Sequence, residues 1–171
     1  MADPLPSEIP VSVMLERRLV GSGRWTAPQW ELVEVIAGAG LESKCRQRTL
    51  VADVDGVQRF LWRGLDIELF KDGAEGYWYN LLSDIPYLFV VCMTDEDDDA
   101  REIEPVLVTV NQDEAMAHME SDDLVLSAPM PPEICDRVER FVVANYEPKV
   151  KSKRKRRDWA DESAYHRRGL R

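Results

Sequence analysis

Asp55 and Gly56 stand between two alternating runs, Thr49-Leu-Val-Ala-Asp-Val54 and Val57-Gln-Arg-Phe-Leu-Trp62. A two-residue type I′ turn places both central residues at positive φ, which glycine adopts freely and aspartate tolerates, so the segment reads as a β-hairpin. A hairpin alone is marginal in water and needs further strands to bury its apolar side.

Those strands are legible on either side. Val11, Val13 and Leu15 alternate with Ser12, Met14 and Glu16, and successive side chains of a strand change face, so a first strand runs here. A second is expected near Trp30, after Pro28 and the glycines Gly21 and Gly23, which read as turn residues. Leu65, Ile67 and Leu69 alternate in the same way, and Lys71-Asp72-Gly73 turns the chain into a further strand over Tyr77 to Leu82, with Tyr77, Tyr79 and Leu81 on one face. Tyr87 to Met93, apolar throughout and too short for a typical helix, is expected to be a central strand, and Val106 to Val110 the next.

Two helices close the pattern. Asn111, with Glu114 three places on, has capping-box spacing and opens a short helix through Met119. After Pro131-Pro132, the residues Ile134, Val138, Phe141, Val142 and Tyr146 lie along one side of a second helix, which is expected to pack on the sheet. The expected fold class is α+β: a mostly antiparallel β-sandwich or partly open barrel of about seven or eight strands, with a C-terminal amphipathic helix.

Charge divides the chain. Ten basic and three acidic side chains lie within residues 149–171, which therefore carry +7, and residues 1–148 carry −17 of the total of −10. A block of like charge with almost no aliphatic residues cannot offset the entropy of folding, so a disordered basic tail is expected at 149–171, after a flexible start at 1–8 and a single β-rich domain at 9–148. The N-terminal residues lack a secretory h-region and no apolar run approaches the roughly 18 residues of a membrane span, so a cytoplasmic protein without a membrane partner is expected. Cys45, Cys92 and Cys135 are scattered without C-x-x-C spacing and read as reduced.

Residue types that carry chemistry are sparse. His118 and His166 are the only histidines, and no G-x-S-x-G elbow presents a serine. The run Asp95-Glu-Asp-Asp-Asp99 lacks the glycine and the spacing of a calcium loop and reads as a solvated connector. No catalytic residue, metal ligand or cofactor is therefore assigned. Trp25 and Trp30 beside Arg17, Arg18 and Arg24 form an aromatic and cationic set of the kind enriched in binding hot spots. Lys151, Lys153, Arg154, Lys155, Arg156 and Arg157 make a second basic element. Because the acidic body repels nucleic acid, its expected partner is an acidic protein, with RNA binding through counterion release as an alternative. A further alternative is a small-ligand pocket between the sheet and the helix at 133–146, using Glu68, Tyr77 and Tyr79.

These landmarks resemble a bacterial family catalogued as domain of unknown function 3305. The likeness is carried by Ile9-Pro-Val-Ser-Val-Met-Leu-Glu-Arg-Arg18, Trp25, Trp30-Glu-Leu-Val33 and Glu75-Gly-Tyr-Trp-Tyr-Asn-Leu81. It continues through Pro86 to Val91, Val106 to Val110, Ala128-Pro-Met-Pro-Pro132 and the closing Lys and Arg run, spanning residues 9 to 157. The resemblance implies an association with molybdenum-dependent formate dehydrogenases and their maturation factors, and hence a non-catalytic accessory or assembly role. Some members carry a label for molybdopterin-guanine dinucleotide synthesis, but this sequence lacks the Gly-rich nucleotide loop and alternating α/β pattern of such a transferase.

Overall fold

The computed structural model describes residues 7–38, 44–94, 97 and 101–149; the readings of residues 1–6 and of the tail from 150 onward lie outside them. Among the described residues, seven strands form one sheet: β1 (Glu8–Val20), β2 (Ala27–Ala37), β3 (Gln47–Val54), β4 (Val57–Glu68), β5 (Tyr87–Thr94), β6 (Ile103–Thr109) and β7 (Leu124–Pro129). Three α-helices accompany them, α1 (Ala74–Leu81), α2 (Gln112–Glu120) and α3 (Pro132–Asn145).

The strands run in the order β2-β1-β4-β6-β5-β7, with β3 also paired to β4. All pairings are antiparallel except β4 with β6, which meet in parallel at Ile67 and Val108. The end strands β2 and β7 pack against each other, so the sheet curls into a nearly closed barrel. Its interior is the row Ile9, Val11, Val13 and Leu15 of β1, met by Phe60, Trp62, Leu65 and Ile67 of β4 and by Leu88, Val90 and Cys92 of β5. Val91 is buried as well, so β5 is covered on both faces, with α2 packed against it.

The Asp55-Gly56 hairpin forms, with both residues at positive φ. Its second strand does not stop at Trp62, however, but continues to Glu68 as one element. β1 takes one edge of β4 along its whole length, while the other edge is divided: β3 pairs up to Arg63, and β6 takes over at Ile67. Gly64 sits at the changeover with φ 79°. A Cβ there would lie 2.4 Å from the carbonyl oxygen of Cys45, so only glycine lets the chain entering β3 approach this closely.

The expected strand over Tyr77–Leu82 is instead the helix α1. Aromatic residues at alternate positions mimic a strand, but burial falls on Ala74, Tyr77 and Asn80, at helical spacing. Packing decides the matter: Tyr77 lies 6.3 Å from Phe141 and Trp78 lies 5.5 Å from Tyr146, ring centre to ring centre. The apolar stripe of α3 joins the barrel core as expected, yet its main neighbour is α1 rather than the sheet. α2 starts where the cap spacing places it, with Asn111 Oδ1 accepting from the Asp113 amide at 3.0 Å. β7, unassigned from sequence, pairs with β5 and supplies the sheet's last strand.

Candidate functional site

Ile67 faces Val108 in the parallel pair, so β6 begins, at Ile103, level with Trp62. The half of β4 before Trp62, with β3, β1 and β2, projects past the start of β6 as a four-stranded apron. On its inner face, the row of β1 that buries Leu15 continues to Arg17, which pairs with Trp30 on β2 and with Gln58 on β4. Arg48 of β3 lies opposite Trp62 on β4.

Residues Arg101 and Glu102, just ahead of β6, lie against this face. The Trp30 indole N–H donates to the Arg101 carbonyl at 3.1 Å. Arg48 donates to Glu102 Oε2 at 2.9 Å, and Arg17 Nε stands 3.8 Å from Glu102 Oε1. Three strands thus each direct one donor at a two-residue segment. The Arg48 guanidinium also lies 4.0 Å from the centre of the Phe60 ring and 5.4 Å from that of Trp62, a cation–π arrangement that keeps it on the apron. Trp30 packs on the same Phe60 at 5.8 Å. Beside Glu102 the fork between β3 and β6 opens into a groove of about 480 Å³ lined by Arg48, Trp62, Met93, Thr94, Ile103 and Glu104. Trp62 is only 8% exposed, and its Nε1, like Arg17 Nε, has no hydrogen-bond acceptor among the described residues. At the lower side of the fork Arg46 donates to the carbonyls of Pro105 and Val106, which a neighbouring strand would otherwise occupy.

Arg18 turns to the opposite face, where it and Arg59 hold Glu16, a side chain buried in spite of its charge. The hydrogen bond from Arg59, then that from Arg18, keeps the Glu16 carboxyl below its usual pKa against the opposing effect of burial. Arg24 and Trp25 lie in a 3-10 turn (Gly23–Trp25) at the tip of the β1–β2 hairpin. The turn is tied by Trp25 N–H to the Ser22 carbonyl at 3.1 Å and by Thr26 Oγ1 to the Gly23 carbonyl at 2.9 Å. Trp25 is 82% exposed, with Leu19 and Val20 exposed at the end of β1 behind it.

The structure therefore divides the residues singled out from sequence. Trp25 and Arg24 are displayed at the tip, Trp30 and Arg17 are engaged by the chain's own Arg101–Glu102, and Arg18 serves the Glu16 cluster. Lys151, Lys153, Arg154, Lys155, Arg156 and Arg157 lie outside the described residues. Arg48, Phe60 and Glu102 were not legible as site residues, since 54 positions separate Arg48 from Glu102 and no spacing rule links them. Tyr77 and Tyr79 fall on different sides of α1: Tyr77 is buried with its hydroxyl accepting from the Phe70 amide, and Tyr79 is exposed. Glu68 ends β4, exposed, opposite Glu8.

His118 pairs with Asp123 through Nδ1 at 2.8 Å, on the surface. Among the described residues no three of His, Cys, Asp or Glu cluster as metal ligands, and no helix is long and apolar enough to cross a membrane. Burial pushes the Cys92 thiol up to about 12, which makes it a packing residue rather than a nucleophile. What the apron face offers chemically is a set of N–H donors and aromatic rings suited to holding carboxylates and carbonyls.

No curated protein and no solved structure matches the chain. A family model described as "Protein of unknown function (DUF3305)" matches residues 10–156, which take in the barrel from the third residue of β1, the three helices and the basic run up to Arg156. The chain belongs to that family.

Proposed function

We propose that this chain is a non-catalytic accessory protein that docks on an acidic protein partner through the β1–β2 tip and the basic run at Lys151–Arg157. The observation that carries the reading is Trp25, 82% exposed on an ordered turn beside Arg24. A tryptophan has only two side-chain torsions to fix when it is covered, and its backbone is already set by the turn; Trp with Arg forms the residue set that dominates interface energies. The basic run adds long-range attraction, which raises the rate of encounter more than the final affinity. The resemblance points to a molybdenum-dependent formate dehydrogenase subunit, or one of its maturation factors, as the partner.

The test is direct binding of the full-length protein to purified formate dehydrogenase subunits and maturation factors. Trp25→Ala should weaken binding by about tenfold or more, the scale of an interface anchor. Replacing the six cations of the Lys151–Arg157 run with Gln should slow association and flatten its salt dependence. Absence of binding to every one of these proteins, or binding indifferent to Trp25, overturns the reading. Tight binding of RNA that is lost with the tail charges would favour the nucleic-acid alternative.

A further inference from the structure

We propose that the inner face of the apron, formed by Arg17, Trp30, Arg48 and Phe60, is a binding site for an acidic peptide segment, filled in the free protein by the chain's own Arg101–Glu102. The site differs from the hairpin tip, so either reading can fail while the other stands.

The contacts of the resident segment define what the site takes. Trp30 donates to a backbone carbonyl, and Arg48 with Arg17 faces the carboxylate of the next residue. That is a recognition element for an extended carbonyl-then-acid pair. Among the described residues, the contacts of the apron with its occupant are made by apron side chains. Arg101 has φ 46°, outside strand geometry, and regular pairing begins only at Ile103. A segment held by three side-chain contacts at a strand's frayed start exchanges more readily than one held in the ladder.

The site also has capacity that its occupant leaves unused. Trp62 Nε1 is buried with no acceptor among the described residues, and an N–H donor left in that condition is stabilised by any group that accepts from it. The groove of about 480 Å³ leads away from Glu102 past Trp62 and Thr94, giving a longer ligand room beyond the two-residue contact. Arg48 covers the Trp62 ring at 5.4 Å, so a ligand carboxylate that draws Arg48 outward uncovers the indole as it binds. The surroundings supply selectivity: residues 1–148 carry −17, so only an acidic segment that makes these specific contacts overcomes the general repulsion.

The probe is a fluorescein-labelled synthetic peptide with the sequence of residues 93–104, Met-Thr-Asp-Glu-Asp-Asp-Asp-Ala-Arg-Glu-Ile-Glu, added to the full-length protein and followed by anisotropy. Because the resident segment competes, wild type should bind it weakly. Glu102→Gln in the protein should tighten binding about tenfold by raising the fraction of open sites. Arg48→Met, introduced beside Glu102→Gln, should abolish that gain, and so should a scrambled peptide of equal charge. Glu102→Gln binding no tighter than wild type, a gain that survives Arg48→Met, or equal binding of the scrambled peptide would each overturn the proposal. A second measurement needs no variant: saturating peptide should move the Trp30 and Trp62 indole N–H resonances of the wild type, and unmoved resonances at saturation overturn it too.

Discussion

Arg48 on β3 donates to Glu102 at the head of β6 while its guanidinium rests 4.0 Å from the centre of the Phe60 ring. This contact spans the fork where β3 and β6 part company along one edge of β4, and Arg46 spans it lower down by donating to the carbonyls of Pro105 and Val106. Arg48 on β3 and Arg46 just ahead of it thus hold β6 through side chains where a paired strand would use its backbone, and a groove remains beside Arg48. Both Arg48 and Glu102 side chains are about one-third exposed, so the bond is open to competition from solvent and from other carboxylates.

Asn80 on α1 ties its helix to β5 and to Val110, just past the end of β6, through three hydrogen bonds. Its amide donates to the Tyr87 carbonyl at 2.7 Å and the Val110 carbonyl at 2.8 Å, while its Oδ1 accepts from the Tyr87 amide at 3.0 Å. Asn80→Ala leaves three backbone groups without partners and should cost about 3 kcal/mol, read as a lower urea midpoint at unchanged slope. Asn80→Asp keeps one of the three bonds and should be no better, because it adds a charge at a buried position.

Glu16 links pH to stability. Its pKa is lowered on folding, so its contribution is present above the ordinary carboxylate value of 4.5 and is lost as pH falls through the lower folded value. Glu16→Gln should therefore cost about 1–2 kcal/mol at pH 7, toward the lower end because Arg18 and Arg59 are about half exposed. Urea unfolding of the two proteins from pH 7 to pH 3 should show the gap closing below pH 4.5; a constant gap would assign the effect to packing instead.

Gly64→Ala tests the fork itself. The residue has φ 79° and the added methyl meets the Cys45 carbonyl oxygen at 2.4 Å, backbone against backbone with no side chain to move aside. Thermal unfolding should show a loss of about 2–4 kcal/mol. Gly56→Ala, at φ 79° with open space around it, should lose only the smaller backbone part, about 1 kcal/mol.

Where one residue's neighbours in the chain decide its conformation, the sequence was sufficient. Asp55-Gly56 at positive φ, the alternation of Val11, Val13 and Leu15, the Asn111 cap and the stripe Ile134, Val138, Phe141 and Val142 are all short-range patterns, and each forms the element they specify. Gly21 and Gly23, ahead of Trp25, were legible as turn residues for the same reason. Helix α1 was not, because Tyr77, Tyr79 and Leu81 satisfy strand alternation locally, and only packing of Tyr77 on Phe141 and the Asn80 bonds to β5 and β6 make the helix the lower state.

The site on the apron lies mostly on the far side of that divide: Arg17 and Trp30 stood out in the sequence, but their meeting with Arg48, Phe60 and Glu102 did not. Arg17, Trp30 and Arg48 come from three strands, and Glu102 from a connection 54 residues beyond the last of them. Residues so distant meet only after the sheet has curled and β6 has taken the second half of the β4 edge. Local chemistry therefore wrote most of the elements and the division into an acidic body and a basic tail, while the curling of the sheet decided which charges and aromatics face one another, because only it removes the distance between them.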